Sequence, residues 1–145
     1  MRSSVDILLV DDNPDDVDLT LFALREHNLA GRTKLVRDGA EALDFVFCTG
    51  AYQHRNVEDR PRLILLDLKL PKIDGLEVLR HLKSDPRTRS IPVVVLTTSR
   101  QARDIHASYQ AGVNSYIVKS VDFDQFSETT RQLGQYWLFL NEPPT

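Results

Sequence analysis

Leu63-Ile64-Leu65-Leu66 sets four large apolar residues in a row, and the next residue is a carboxylate, Asp67. A run without polar alternation reads as a strand buried on both faces, the pattern of a central parallel strand. In an open α/β sheet, ligands gather just beyond the carboxyl ends of the strands, which is where Asp67 stands. Asp is also a common turn residue, so this position alone leaves two readings open, a turn cap or a site. The rest of the chain decides between them.

Val5 to Val10 is a second apolar run, ending in Asp11-Asp12-Asn13-Pro14-Asp15-Asp16. Asn13 suits an N-cap and Pro14 the first helical position. The helix they open has an inward face of Val17, Leu21 and Leu24 and stops at Asn28 and Gly31. Thr33 to Val36 reads as a short strand, after which Asp38-Gly39 turns the chain into a helix over Ala40 to Cys48. Thr49 to Arg62 shows no periodicity, and a loop of this length either meets a partner or is mobile.

After the opening strand, Asp74 caps a helix whose Gly75, Val78, Leu79 and Leu82 share one face, closed by Asp85-Pro86. Ile91 to Leu96 is another buried run and ends in Thr97-Thr98-Ser99. Arg100 to Ala111 forms a helix ended by Gly112, and Ser115 to Val118 a fifth strand that leads into Lys119-Ser120. Phe123, Phe126, Thr130, Leu133 and Trp137 make one stripe of a last helix from about Asp122 to Phe139. Strands and helices thus alternate, which implies an α/β, doubly wound fold with a five-stranded parallel sheet. The 145 residues are expected to form a single domain, 1–145, with its core over about 5–139.

The formal charge is -3, and Lys and Arg are scattered, so no footprint for nucleic acid is expected. No apolar run approaches the roughly 20 residues that a membrane-spanning helix needs. Met1-Arg2-Ser3-Ser4 leads straight into a strand, so a cytoplasmic protein with no membrane partner is expected. The single cysteine, Cys48, can form no internal disulfide and reads as a small buried hydrophobe. His27, His54, His81 and His106 lack metal-ligand spacing and read as surface or helix residues.

Parallel strands bring Asp11, Asp12, Asp67, Thr97 and Lys119 to one edge of the sheet. Each has an ordinary explanation by itself: helix-start acids, a strand threonine, a surface lysine. Together they are harder to dismiss. Carboxylates this close repel by about 4 kcal/mol per pair at an effective dielectric near 20, so a cation among them is expected. Oxygen-only ligands point to Mg²⁺. Lys119 supplies a point charge for a transferred phosphoryl oxygen and the Thr97 hydroxyl a donor, which suggests phosphoryl transfer to Asp67.

At these residues the chain resembles the receiver domains of two-component response regulators, over Val5 to about Leu138. The matching pieces are Asp11-Asp12, Asp67 in Leu-Asp-Leu-Lys-Leu-Pro with Asp74-Gly75, Thr97-Thr98-Ser99, and Tyr116 with Lys119. The resemblance implies the flavodoxin-like receiver fold with strand order 2-1-3-4-5. It implies that Asp67 accepts a phosphoryl group from a histidine kinase, and that Asp12, Asp67 and the Lys69 backbone carbonyl hold Mg²⁺ with Asp11 acting through a water. It also makes Thr97 and Tyr116 a switch pair, the hydroxyl moving toward the phosphoryl group and the ring turning inward.

The long loop and the Trp137-Leu138-Phe139-Leu140 ending are similar to stand-alone receivers that partner bacterial phytochrome-type kinases. A homodimer through the fourth helix, fifth strand and fifth helix is expected. One departure stands out: the family usually has Pro after the strand-five lysine, commonly with a cis bond, and this chain has Ser120. The bond is then either trans or strained, since a cis bond before Ser costs about 2.5 to 4 kcal/mol.

On this reading the protein is a signalling phospho-acceptor, with no enzymatic activity beyond its own phosphotransfer and dephosphorylation. A rival is a phosphohydrolase of the haloacid dehalogenase type. That class needs an acid two residues after its nucleophile, where this chain has Lys69. A flavodoxin-like cofactor binder is disfavoured because the first strand opens into acids instead of a Gly- or Ser/Thr-rich phosphate cradle.

Overall fold

The computed structural model describes residues 5–144, so the reading of Met1 to Ser4 lies outside the described residues. Strands and helices alternate: β1 (Ile7–Val10), α1 (Pro14–Glu26), β2 (Thr33–Val36), α2 (Gly39–Phe47), β3 (Leu63–Leu66), α3 (Gly75–Ser84), β4 (Val93–Thr97), α4 (Ala102–Gln110), β5 (Ser115–Val118) and α5 (Phe123–Gln135). Every strand pair is parallel, and the order is β2-β1-β3-β4-β5. The parallel sheet is what the alternation implies, and the order is the one the resemblance implies.

β3 is the central strand, and its apolar run divides between two cores because successive side chains point to opposite faces. Ile64 and Leu66 join Leu8, Val10, Val93 and Val95 under Val46 of α2 and Val78, Leu79 and Leu82 of α3. Leu63 and Leu65 join Ile7, Leu9 and Val94 with Leu24 of α1 and Leu138. All four β3 side chains are 0–1% exposed, and burying each is worth about 1.5–3 kcal/mol relative to leaving it in water. The strand that leads to Asp67 is therefore firmly held, buried as fully as β1 beside it.

Several boundaries differ from the sequence reading for local reasons. α4 begins at Ala102 because Ser99 takes the Gln101 N–H on its hydroxyl at 3.3 Å and so ends the preceding turn. Asp74 stands at the N-cap of α3 without a side-chain cap bond. The first turn is fastened instead by the Gly75 N–H donating to the Leu68 carbonyl at 2.8 Å.

α5 does not continue as an α-helix to Phe139, since Tyr136–Leu140 form a π-helical turn. The wider turn brings Leu138 into the core, 6% exposed, and leaves Phe139 outside at 70%. His27 is no free surface residue either. Its Nε2 lies 2.9 Å from the Ser127 hydroxyl, which also donates to Glu26, and α1 is thereby tied to α5.

The segment from Thr49 to Arg62 is organised around one side chain. Arg55 stacks over the Phe45 ring at 3.8 Å and donates to the Phe45 carbonyl and, at 2.6 Å, to that of Asp59. A short 3₁₀ turn, Gly50–Tyr52, opens the loop. Cys48 caps α2 in the left-handed region, φ 59 and ψ 47. It is half-buried, not the buried hydrophobe expected from its residue type.

Gly75 is where the fold leaves no room for a side chain. A Cβ there would lie 2.2 Å from the Asp67 carbonyl oxygen and 2.6 Å from Leu68 Cα, both backbone atoms. Gly75→Ala is expected to lower the free energy of unfolding by about 1–3 kcal/mol, the usual range for overpacking. Urea unfolding with an unchanged m-value would show it.

Candidate functional site

The carboxyl ends of β1, β3 and β5 deliver Asp11, Asp67 and Lys119 to one point. The Lys119 ammonium donates to Asp11 at 2.8 Å, to Asp67 at 3.0 Å and to Asp16 of α1 at 2.9 Å. Each proton of the ammonium thus meets its own carboxylate. The lysine side chain is 6% exposed, and those of Asp11, Asp67 and Asp16 are 2%, 11% and 28% exposed. One oxygen of each acid lies within 4.8 Å of the others, a group able to hold a metal ion.

The backbone aims these groups. Asp67 donates its N–H to the Val10 carbonyl at 3.0 Å, which locks the end of β3 beside that of β1. Its Oδ1 accepts from the Lys69 N–H at 3.4 Å. Asp11 accepts the Asn13 N–H at 3.0 Å on the oxygen that Lys119 leaves free. Lys119 donates its own N–H to Thr97 at 2.7 Å, fixing the end of β5 against β4.

Burial and pairing oppose each other at this point. Burial pushes the Asp11 carboxyl above its ordinary value, and the hydrogen bonds from Lys119 and Asn13 only partly offset it. For Lys119, burial favours the neutral amine, but the hydrogen bonds to Asp11 and Asp16 and the charges of Asp67 and Asp11 outweigh it, so its pKa is raised.

The profile of the response regulator receiver domain family matches residues 7–131. The chain belongs to this family. This receiver is 40% identical to the response regulator Rcp1 of Synechocystis sp., over 91% of its own length and 88% of that protein's. The crystal structure of Rcp1 in its Mn²⁺-bound form superposes with a TM-score of 0.87 at 38% identity, covering 97% and 99% of the two chains. That of the phosphorylated cyanobacterial phytochrome response regulator RcpA gives 0.88 at 42% identity, with the same coverage. The bacteriophytochrome response regulator AtBRR is 50% identical with a TM-score of 0.76, over 95% and 98%. The haloacid dehalogenase alternative finds no support among these relatives.

Around the centre, the receiver places the remaining candidates unequally. Asp12 is exposed and outside the Asp11–Asp16–Asp67 group, and Lys69 is also exposed. Thr97 is buried at 1%, and its hydroxyl accepts the Ser99 N–H at 3.4 Å. Tyr116 is half-buried, its ring packs on the core under α2 and α3, and its hydroxyl donates to the Ser99 carbonyl at 3.0 Å. Ser99 in turn donates to Asp104 at 2.5 Å.

The bond between Lys119 and Ser120 is trans, as there is no cis peptide among the described residues. Ser120 has work of its own at the start of α5. Its hydroxyl accepts the Asp122 N–H at 3.1 Å and donates to Gln125 at 3.0 Å. A serine here shapes the turn by hydrogen bonding, where proline would shape it by its ring.

Asp16 and Asp104 are the functional neighbours that sequence reading passes over. Asp16 had a signal, three residues after the Asn13 cap, but a first-turn acid is ordinarily explained by the helix dipole.

The raised Asp11 pKa has a definite sign in stability. A carboxyl whose folded pKa lies above its unfolded value favours folding more as the pH falls through that folded pKa, and its ionisation costs stability at neutral pH. Lys119 behaves differently. Its contribution is complete below about 10.5, the unfolded lysine value, and is lost only as the pH rises through its higher folded pKa. Asp11→Asn should therefore melt a few degrees higher than wild type at pH 7, the shift that about 1 kcal/mol produces in a chain of this size. Lys119→Met, which strands the carboxylates, should melt lower. Calorimetric scans of both variants without divalent cations test the two signs.

Proposed function

We propose that this receiver is a single-domain response regulator, 1–145, that accepts a phosphoryl group on Asp67 from a histidine kinase and signals through protein contacts. The observation that supports this best is the Lys119 ammonium held 3.0 Å from Asp67 at the end of the central strand. It lies where charge develops on a phosphoryl group arriving at that carboxylate. A carboxylate oxygen of Asp67 attacks phosphorus, the bond to the donor nitrogen breaks, and an acyl phosphate forms. Lys119 pairs with a phosphoryl oxygen, and the Thr97 hydroxyl donates to another.

Three carboxylates against one ammonium leave an excess of two negative charges at Asp11, Asp16 and Asp67. An oxygen-only, acid-rich set of this kind fits a hard divalent cation. The residues assigned to hold Mg²⁺ are Asp12, Asp67 and the Lys69 backbone carbonyl, with Asp11 acting through a water. When bound, Mg²⁺ would neutralise phosphoryl charge during transfer. That Rcp1 is known in a Mn²⁺-bound form and RcpA in a phosphorylated form supports a receiver that takes both a divalent metal and a phosphoryl group.

In the switch that accompanies phosphorylation, Thr97 moves toward the phosphoryl oxygens. Tyr116 then gives up its bond to the Ser99 carbonyl and turns inward. Two arrangements of similar energy are required, so that a new charge at Asp67 can bias them.

Leu19, Phe22, Val121 and Phe123, 45%, 52%, 106% and 38% exposed, form an apolar rim on α1 and the start of α5. This rim suits a helical kinase surface presenting its histidine to Asp67. That RcpA is a phytochrome and AtBRR a bacteriophytochrome response regulator supports a phytochrome-type kinase as that partner; in this reading the two meet in the cytoplasm. Tyr109, Tyr136, Phe139 and Leu140 are 50–71% exposed on α4 and at the end of α5. They support a homodimer through α4, β5 and α5. Neither nucleic acid nor membrane is a partner in this reading, and the only chemistry is self-catalysed phosphotransfer and dephosphorylation.

Incubation with a small acyl phosphate and Mg²⁺ should add one base-labile phosphoryl group to the wild type and none to Asp67→Asn, as read by intact-mass spectrometry. Labelling of the mutant at wild-type stoichiometry would falsify the assignment. Sedimentation equilibrium should show a dimer that tightens with a beryllofluoride mimic. Monomers at high concentration in both states would remove the dimer from the reading.

A further inference from the structure

We infer that Asp16 is a positioning residue that takes up the Lys119 ammonium and thereby frees Asp11 and Asp67 for a divalent cation. The inference rests on the phosphotransfer reading above and adds a part to it.

The first turn of α1 explains why the Asp16 carboxylate is available. Asn13 is the N-cap and its side chain accepts the Asp16 N–H at 3.1 Å. Asp16 is then the third residue of the helix, the position from which an acidic side chain usually folds back onto the cap's own N–H. Here that N–H is already taken by Asp11, at 3.0 Å. The Asp16 side chain therefore points to Lys119, 103 residues away in the chain, and meets it at 2.9 Å.

Of the three acids around Lys119, Asp16 is the most exposed, at 28% against 2% and 11%. It is also the one set on a helix instead of at a strand end. It is the one whose carboxylate the transfer chemistry does not use. A divalent cation and an ammonium repel when they share carboxylates, so Asp11 and Asp67 can turn to a metal only as their bonds to Lys119 weaken. Asp16 offers the ammonium an anionic partner during that exchange and keeps it beside the phosphoryl position. With Asn at 16, Lys119 keeps only the two carboxylates that the metal needs and competes for them.

The test is Mg²⁺ binding by isothermal titration calorimetry to wild type, Asp16→Asn, Asp16→Glu, Lys119→Met and the Asp16→Asn/Lys119→Met double variant, each checked for folding by thermal melt. Asp16→Asn should bind Mg²⁺ about tenfold more weakly, the lower end of what loss of an outer partner costs a metal site. Asp16→Glu, which keeps the charge and the reach, should stay within about threefold of wild type. In the Lys119→Met background, Asp16→Asn should cost no more than about threefold, because the competitor is gone. The Mg²⁺ concentration for half-maximal acyl-phosphate labelling should rise with the dissociation constant.

An equal loss of affinity with and without Lys119 would overturn the inference and make Asp16 a metal ligand. Unchanged affinity in Asp16→Asn would overturn it as well. Failure of the wild type to be labelled would count against the phosphotransfer reading alone, since calorimetry reports the Asp16–Lys119 coupling without it.

Discussion

A single buried ammonium holds this site in order. Lys119 meets Asp11, Asp16 and Asp67 at 2.8–3.0 Å, which joins the ends of β1, β3 and β5 to the first turn of α1. Without it, three acids would face one another in a region that excludes most water, where repulsion is strongest and hydration cannot relieve it. The arrangement is tolerable only because every proton of the amine has an acceptor. It is also unstable to a second cation. The same feature that lets the protein bury its acids is the one that a metal ion or a phosphoryl group, in the proposed function, would have to displace.

The sheet makes such a concentration of charge possible. Leu63 to Leu66 anchor β3 in both cores, so the position of Asp67 is set by packing rather than by the loop that follows. The glycine at 75 lets α3 start against the Asp67 and Leu68 backbone, and Ser120 starts α5 from a trans bond through its hydroxyl. Apolar burial supplies the rigidity, and a few polar turns aim the ends.

Legibility in the sequence followed the strength of the local signal. Unbroken apolar runs alternating with helices were sufficient for a parallel, doubly wound sheet and for placing Asp11, Asp67 and Lys119 on one edge, because right-handed crossovers leave few alternatives; the strand order came from the family resemblance. Arg55 was not legible as the organiser of its loop. Its partners are carbonyl groups and the face of Phe45, neither of which marks a sequence. The π turn at Tyr136 was hidden for a similar reason: Trp137 fits an α-helical stripe, and only packing shows that Leu138 goes deeper than the half-buried Trp137. Asp16 was visible as a helix-start acid, but its true direction depends on Asn13 giving its N–H to Asp11. Asp12 is the converse case, prominent in the motif yet exposed beside the cluster.

The hydroxyl of Tyr116 rests on a main-chain oxygen of residue 99, while the side chain of that residue faces Asp104. Main-chain oxygens are the same whatever amino acid is encoded. Position 99 can therefore change during evolution without removing the resting place of the aromatic ring. The ring's resting place and the contact to Asp104 are held by different atoms of one residue. A lineage can lose the one contact and keep the other.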